Sequence, residues 1–149
     1  MKMYREINGV FYAKIDGTLK EYEYPQHDSS IHSKLQHYHG VRYSNPDIGN
    51  FFAWNKKIGD CEIDSLIYTN GKLTQYGEVK TTIKNKITKG RVKKAIGDLT
   101  EARMYLPPNC EAIPTFITNK MIDKNMVKLL KVNYIIPIVY LEEEAFNSL

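Results

Sequence analysis

Two runs of alternating residues, Asp60 to Tyr68 and Leu73 to Thr81, flank the tetrapeptide Thr69-Asn70-Gly71-Lys72. Asn-Gly readily adopts the positive φ angles of a two-residue hairpin turn, so this stretch predicts a β-hairpin of two strands. A helix-period segment follows it. From about Thr88 to Leu106, Val92, Ala95, Ile96, Leu99, Ala102, Arg103 and Leu106 form one stripe in which Arg103 is the only polar member. Pro107-Pro108 stops that helix. Ala112 to Thr118 then reads as a strand, Ile122 to Lys131 as a helix and Tyr134 to Leu141 as a last strand. Pro137 cannot donate to a ladder, so the last strand belongs at a sheet edge or bends there.

Upstream, Tyr4 to Ile7, Val10 to Ile15 and Leu19 to Tyr24 are separated by Asn8-Gly9 and Asp16-Gly17, the signature of an antiparallel meander that Pro25 closes. From Asp28 to His39, Ile31, Leu35 and Tyr38 fall at helical spacing behind an Asp-Ser-Ser start, which predicts a short amphipathic helix ended by Gly40. Residues 41 to 58 read as an irregular connection with room for a short strand. The fold class expected is α/β (α+β), with a mixed central β-sheet flanked by helices and an N-terminal β-meander. With 149 residues the chain can bury enough surface to fold as one domain, with the meander in 1–25 and the core in 28–141.

The start MKMYREING has no apolar run, and no segment approaches the ~18 apolar residues of a membrane span. Cys61 and Cys110 suit neither a disulfide framework nor a metal-ligand spacing and read as reduced thiols. A cytoplasmic protein with no membrane partner is therefore expected. The net charge of +4 is unevenly spread: Lys80, Lys84, Lys86, Lys89, Arg91, Lys93 and Lys94 occur with no acid among them, leaving the rest of the chain net negative. Such a local patch attracts polyanions, nucleic acid first, though a solvated basic loop has the same composition.

That patch begins at the residues best suited to chemistry. Alternation in the second hairpin strand puts Tyr76, Glu78 and Lys80 on one face, so a carboxylate and an ammonium project side by side. In the first strand Asp60, Glu62 and Asp64 share a face that a hairpin can bring beside Glu78. Close carboxylates repel unless a cation lies between them, and a hard divalent ion with oxygen ligands, such as Mg²⁺, fits that arrangement. Phosphodiester cleavage needs such an ion to polarise phosphate and acidify water, and a cation such as Lys80 to orient the water or neutralise developing charge. A surface hairpin with solvated Glu78 and Lys80 would show the same triplet.

The stretch Gly59-Asp60-Cys61-Glu62-Ile63-Asp64-Ser65-Leu66-Ile67, followed by Tyr76-Gly77-Glu78-Val79-Lys80-Thr81, resembles the restriction-endonuclease-like PD-(D/E)xK nuclease superfamily. The Glu-Ile-Asp-x-Leu-Ile and Glu-Val-Lys pieces are most similar to its archaeal Holliday-junction-resolvase-like and RecB-like branches. The resemblance spans about residues 28 to 118 and implies a restriction-endonuclease-like core and a single nuclease domain. It implies Asp64 and Glu78 as metal ligands, the Val79 main-chain carbonyl completing the coordination, Lys80 as the catalytic lysine, and Mg²⁺ or Mn²⁺ as cofactor. Glu62 and Asp47 are alternative acids, the latter in Asn45-Pro46-Asp47, which supplies the Pro-Asp form of the first motif. RecB-like members carry Gln-x-x-x-Tyr on the next helix, where this chain has Glu101 to Tyr105.

On this basis the chain is expected to be a DNA endonuclease on branched or structured DNA, able to act as a homodimer. Lys84, Lys86, Lys89, Arg91 and Lys94 would bind the nucleic acid. Two rivals within the fold are a catalytically inactive nucleic-acid-binding module and a RecB-like exonuclease; a third is an interaction protein whose triplet is chance. His27, His32, His37 and His39 invite a zinc site but lack a third ligand at a recognised spacing. On an exposed helix beside a polyanion site, His32 or His39 would contact phosphate or solvent, while Phe51, Phe52 and Trp54 suit packing better than base stacking.

Overall fold

The computed structural model describes residues 2–7, 10–15, 17–21, 30–43 and 49–141. Asn8-Gly9, Asp16, Tyr22 to Pro25, the expected helix start at Asp28, and Asn45-Pro46-Asp47 all lie outside them. One eight-stranded sheet has the order β3-β2-β1-β4-β5-β6-β7-β8. Its strands are β1 (Lys2–Ile7), β2 (Val10–Ile15), β3 (Thr18–Glu21), β4 (Asn50–Ile58), β5 (Cys61–Thr69), β6 (Lys72–Lys80), β7 (Ile113–Thr118) and β8 (Ile136–Val139). Pairing is antiparallel from β3 through β6 and parallel from β6 through β8, so the sheet is mixed as expected. The helices are α1 (Ile31–Tyr43), α2 (Lys89–Met104) and α3 (Lys124–Val132).

The β5–β6 turn takes the predicted form, with φ of 51° at Asn70 and 79° at Gly71. β6 then passes through α2 into its parallel neighbour β7, and β7 through α3 into β8. Pro137 lies in β8 at the sheet edge, where its missing N–H breaks no ladder. Helix α2 starts at the Thr88 cap, whose hydroxyl accepts from the Arg91 N–H, and buries Val92, Ala95, Leu99 and Ala102. These join Leu66, Tyr76, Phe116 and Leu130 in the main core on one face of the sheet. Helix α1 covers the other face, packing Leu35 with Val79 and Ile117.

Two local expectations are corrected. Residues 41 to 58 are not mainly irregular, because nine of them form β4; Asn50 through Ala53 are buried in succession, which removes the alternation that marks a half-buried strand. Gly40 does not end α1, which runs on to Tyr43. Its role is close packing, since a Cβ there would lie 2.5 Å from a Phe52 ring carbon. Phe52 is itself wholly buried, and Trp54 stacks on Tyr4 at 4.9 Å between ring centroids, so the aromatic group packs as expected.

Candidate active site

The β5–β6 ladder ends at Ser65↔Gly77, and one further step in the same register sets Asp64 opposite Glu78. On the other side of β5, pairing passes from Trp54↔Ser65 to Lys56↔Ile63, stepping over Asn55 and Asp64. Asn55 has φ of 52°, a left-handed conformation that turns the chain locally. The distortion shows in the packing: Ile63 and Leu66, which strict alternation would send to opposite faces, join the same core cluster.

Helix α1 holds this irregular point. The Gln36 side-chain amide donates to Asn55 Oδ1 at 2.7 Å and to the Asp64 carbonyl at 2.6 Å. The Val79 N–H donates to Asp64 Oδ2 at 2.8 Å, so the Asp64 carboxylate takes a place that the β5 backbone leaves at the end of the ladder. His32, one helical turn before Gln36, places Nε2 3.5 Å from the same oxygen. Its pKa is raised, first by its hydrogen bond to Asp64; burial opposes this, and a hydrogen bond with the Val79 backbone adds to it.

Glu78 is 4% exposed, and its Oε1 has no hydrogen-bond partner among the described residues. Lys80 Nζ lies 3.8 Å from the other oxygen, on the shared strand face that alternation predicts. Burial, and then the negative charge of Asp64, push the Glu78 carboxyl up to about 8, while Lys80 pulls it down. Among the described residues no three of His, Cys, Asp and Glu are grouped so as to hold a metal. Two carboxyls and an ammonium thus meet between the strands, with Glu78 buried and the Asp64 and Lys80 side chains half-buried.

The acidic face expected on β5 is not continuous. Glu62 is exposed opposite Lys57 and has no contact with the Asp64–Glu78 pair. Asp60 instead accepts from the Tyr105 hydroxyl at 3.3 Å, near the end of α2. Asp47 lies outside the described residues. Lys84, Lys86, Lys89, Arg91 and Lys94 are all exposed. Arg91 donates to the Thr81 carbonyl, and Lys94 lies 3.9 Å from Asp98 one turn along α2.

The histidines divide. His37 and His39 are buried rather than exposed, because α1 lies flat on the sheet. The ring nitrogens of His39 engage the Tyr140 hydroxyl at 2.8 Å and Gln75 Oε1 at 2.5 Å, leaving neither for zinc. Burial lowers its pKa to about 4, so the ring is neutral at neutral pH. His32 and Gln36 both contact Asp64; the sequence offers His32 as a phosphate contact, whereas Gln36 carries no such expectation. Their spacing of four on a helix preceding the acidic strand is the signal that could have found them.

No protein-family model matches the chain, and no curated protein matches it by sequence. Two solved structures share its fold. The protein of unknown function AF1548 superposes with a TM-score of 0.51 at 17% identity, over 76% of this chain and 62% of that one. The EndoMS-dsDNA2 complex superposes with a TM-score of 0.50 at 11% identity, over 94% of this chain and 65% of that one. The chain thus spans less than two thirds of either relative, and identities this low establish a common fold alone.

Proposed function

We propose that this chain is a metal-dependent DNA endonuclease that hydrolyses phosphodiester bonds at the fork between β5 and β6. The observation that carries the proposal is the Glu78 carboxyl, buried with one oxygen unpartnered and set against Asp64. A buried carboxyl with one oxygen unpartnered is costly beside a second carboxylate, even with Lys80 near its other oxygen, and a divalent cation would lower both penalties. Asp64, Glu78 and the Val79 carbonyl would hold it. With two carboxylates and a main-chain carbonyl as donors, all oxygen, the remaining positions would fall to water, which suits Mg²⁺ or Mn²⁺. Such an ion supplies polarisation of the phosphate and a lowered pKa for water.

The chain's own groups divide the remaining work. Lys80, only 18% exposed in its side chain, would place a fixed positive charge beside the phosphate where negative charge develops. Glu78 is protonated at neutral pH by itself and would release that proton as positive charge arrives. Gln36 fixes the backbone at Asp64, so the acid does not drift from the fork. Lys84, Lys86, Lys89, Arg91 and Lys94 would bind backbone phosphates. EndoMS, a protein of the same fold seen with double-stranded DNA, supports DNA as the substrate.

The test incubates wild type, Asp64→Ala, Glu78→Ala and Lys80→Ala with linear duplex, single-stranded and four-way-junction DNA, with Mg²⁺, Mn²⁺ or chelator. Metal-dependent internal cleavage by wild type, strongest on the junction and lost in all three variants, is the expected result. Cleavage only from free ends would make the enzyme an exonuclease. Binding without cleavage under every condition would leave a binding module, and cleavage that survives in Asp64→Ala would remove Asp64 from the site.

A further inference from the structure

Ile83 is 86% exposed, the most exposed large apolar side chain among the described residues, and it stands three positions after Lys80. An isolated surface isoleucine on a loose loop needs no explanation. This one is on a loop that the fold holds tightly. Asn119, 1% exposed, receives the Thr82 N–H at 3.1 Å and donates to the Thr82 carbonyl at 3.0 Å. The Thr82 hydroxyl accepts from the Lys84 N–H at 3.1 Å, which curls the backbone tightly around Ile83. Arg91 holds the Thr81 carbonyl, and Lys86 forms a parallel bridge with Met121. Ile87 is anchored in the main core. Both stems of the loop are therefore fixed and its apolar tip is presented to solvent.

We infer that this loop is a wedge, and that Ile83 enters a base step of bound duplex DNA beside the cutting centre. The inference rests on the proposed DNA substrate and narrows it. Charge selects the occupant: the exposed flanks are Lys84, Lys86 and Lys89, and no acid occurs from Lys80 through Lys94. A protein partner seeking an apolar anchor would have to bury those cations, whereas a duplex offers phosphates to them and stacked bases to the isoleucine. Three residues span at most about 10 Å of chain and the two side chains add about as much again, so the step entered lies within about six base pairs of the phosphate next to Lys80.

The fixed stems mean that little loop entropy is lost on insertion. One isoleucine gains too little by burial to open well-stacked duplex unaided, but enough where stacking is already weakened. The wedge therefore favours DNA with a nick or branch point within reach of the site over uninterrupted duplex.

The experiment uses full-length wild type and Ile83→Ala with duplexes carrying 2-aminopurine at a nick, at an uninterrupted step, or opposite a pre-opened gap. In chelator, wild type is expected to raise 2-aminopurine fluorescence at the nick. Ile83→Ala should bind the same DNA, by anisotropy, within about threefold, yet leave the fluorescence at the level of free DNA. With Mg²⁺, Ile83→Ala should cut nicked duplex roughly tenfold more slowly and gapped duplex at the wild-type rate. Equal fluorescence changes for the two proteins, or equal slowing on nicked and gapped DNA, would overturn the wedge and leave the nuclease proposal intact. Ile83-dependent unstacking without cleavage under any metal would support the wedge and refute the nuclease. Failure of wild type to bind any of the three duplexes would refute both.

Discussion

Replacing Glu78 with Gln should stabilise the metal-free protein, and by an amount that grows with pH. The folded carboxyl holds its proton to about pH 8, against an ordinary value of 4.5. The native state therefore binds more protons than the unfolded chain between these two values, and stability falls as pH rises through that window. At 1.36 kcal/mol per unit, the ionisation penalty grows from near zero at pH 4.5 to about 3 kcal/mol at pH 7 and approaches 5 kcal/mol above pH 8. Gln keeps the shape of the protonated acid and does not titrate. Urea unfolding of wild type and Glu78→Gln in chelator, at pH 5 and pH 8.5, gives the comparison. The variants should match within about 1 kcal/mol at pH 5 and differ by about 3–5 kcal/mol at pH 8.5, with Gln the more stable. Mg²⁺ at pH 8.5 should raise the stability of wild type and leave Glu78→Gln nearly unchanged. A difference independent of pH would refute the account of Glu78 as a carboxyl kept neutral by burial and by Asp64.

Lys80→Met keeps most of the side-chain length without its charge, and it should lower single-turnover cleavage by roughly 10²–10³ while near-ultraviolet circular dichroism stays native. Gly40→Ala drives a methyl group into the Phe52 ring and should cost about 1–3 kcal/mol in urea unfolding, although alanine is ordinarily the better helix former. Replacing Lys84, Lys86 and Lys89 together with Ala should weaken duplex binding and reduce the slope of log K against log salt by about 2.7 if each contacts one phosphate. An unchanged slope would place the DNA elsewhere on the surface.

Much of the architecture was legible because local signals agreed with the fold. Asn70-Gly71 fixed the central hairpin, the stripe from Val92 to Leu99 fixed α2, and Pro137 marked the edge strand. The misreadings share a cause in two-sided burial. Asn50 to Ala53 face protein on both sides and lose alternation, and Gly40 lies inside a helix because Phe52 occupies the space a side chain would take. His37 and His39 look like surface residues by composition, yet the partners that satisfy His39, Gln75 and Tyr140, are distant in sequence. No local pattern reveals such pairs.

The candidate site divides along the same line. Glu78 and Lys80 lie on one regular strand, and a period of two was enough to set them together. Asp64 reaches them for a different reason. In an undistorted β5 it would lie on the face shared by Glu62 and Asp60, and the three acids would form one stripe. Instead the left-handed Asn55 interrupts the β4–β5 ladder, Gln36 holds both sides of the gap, and Asp64 turns its carboxylate to the Val79 N–H while Glu62 stays in solvent. Which of Asp64 and Glu62 lies beside Glu78 is thus set by a residue on a neighbouring strand and by a glutamine on a helix. Asn is among the few residues besides Gly that tolerate the left-handed conformation, and its side-chain oxygen also receives the Gln36 amide. One asparagine therefore both bends the strand and offers the helix a point of attachment. That double requirement explains why sequence spacing left the position of Asp64 open while it set Glu78 and Lys80 side by side.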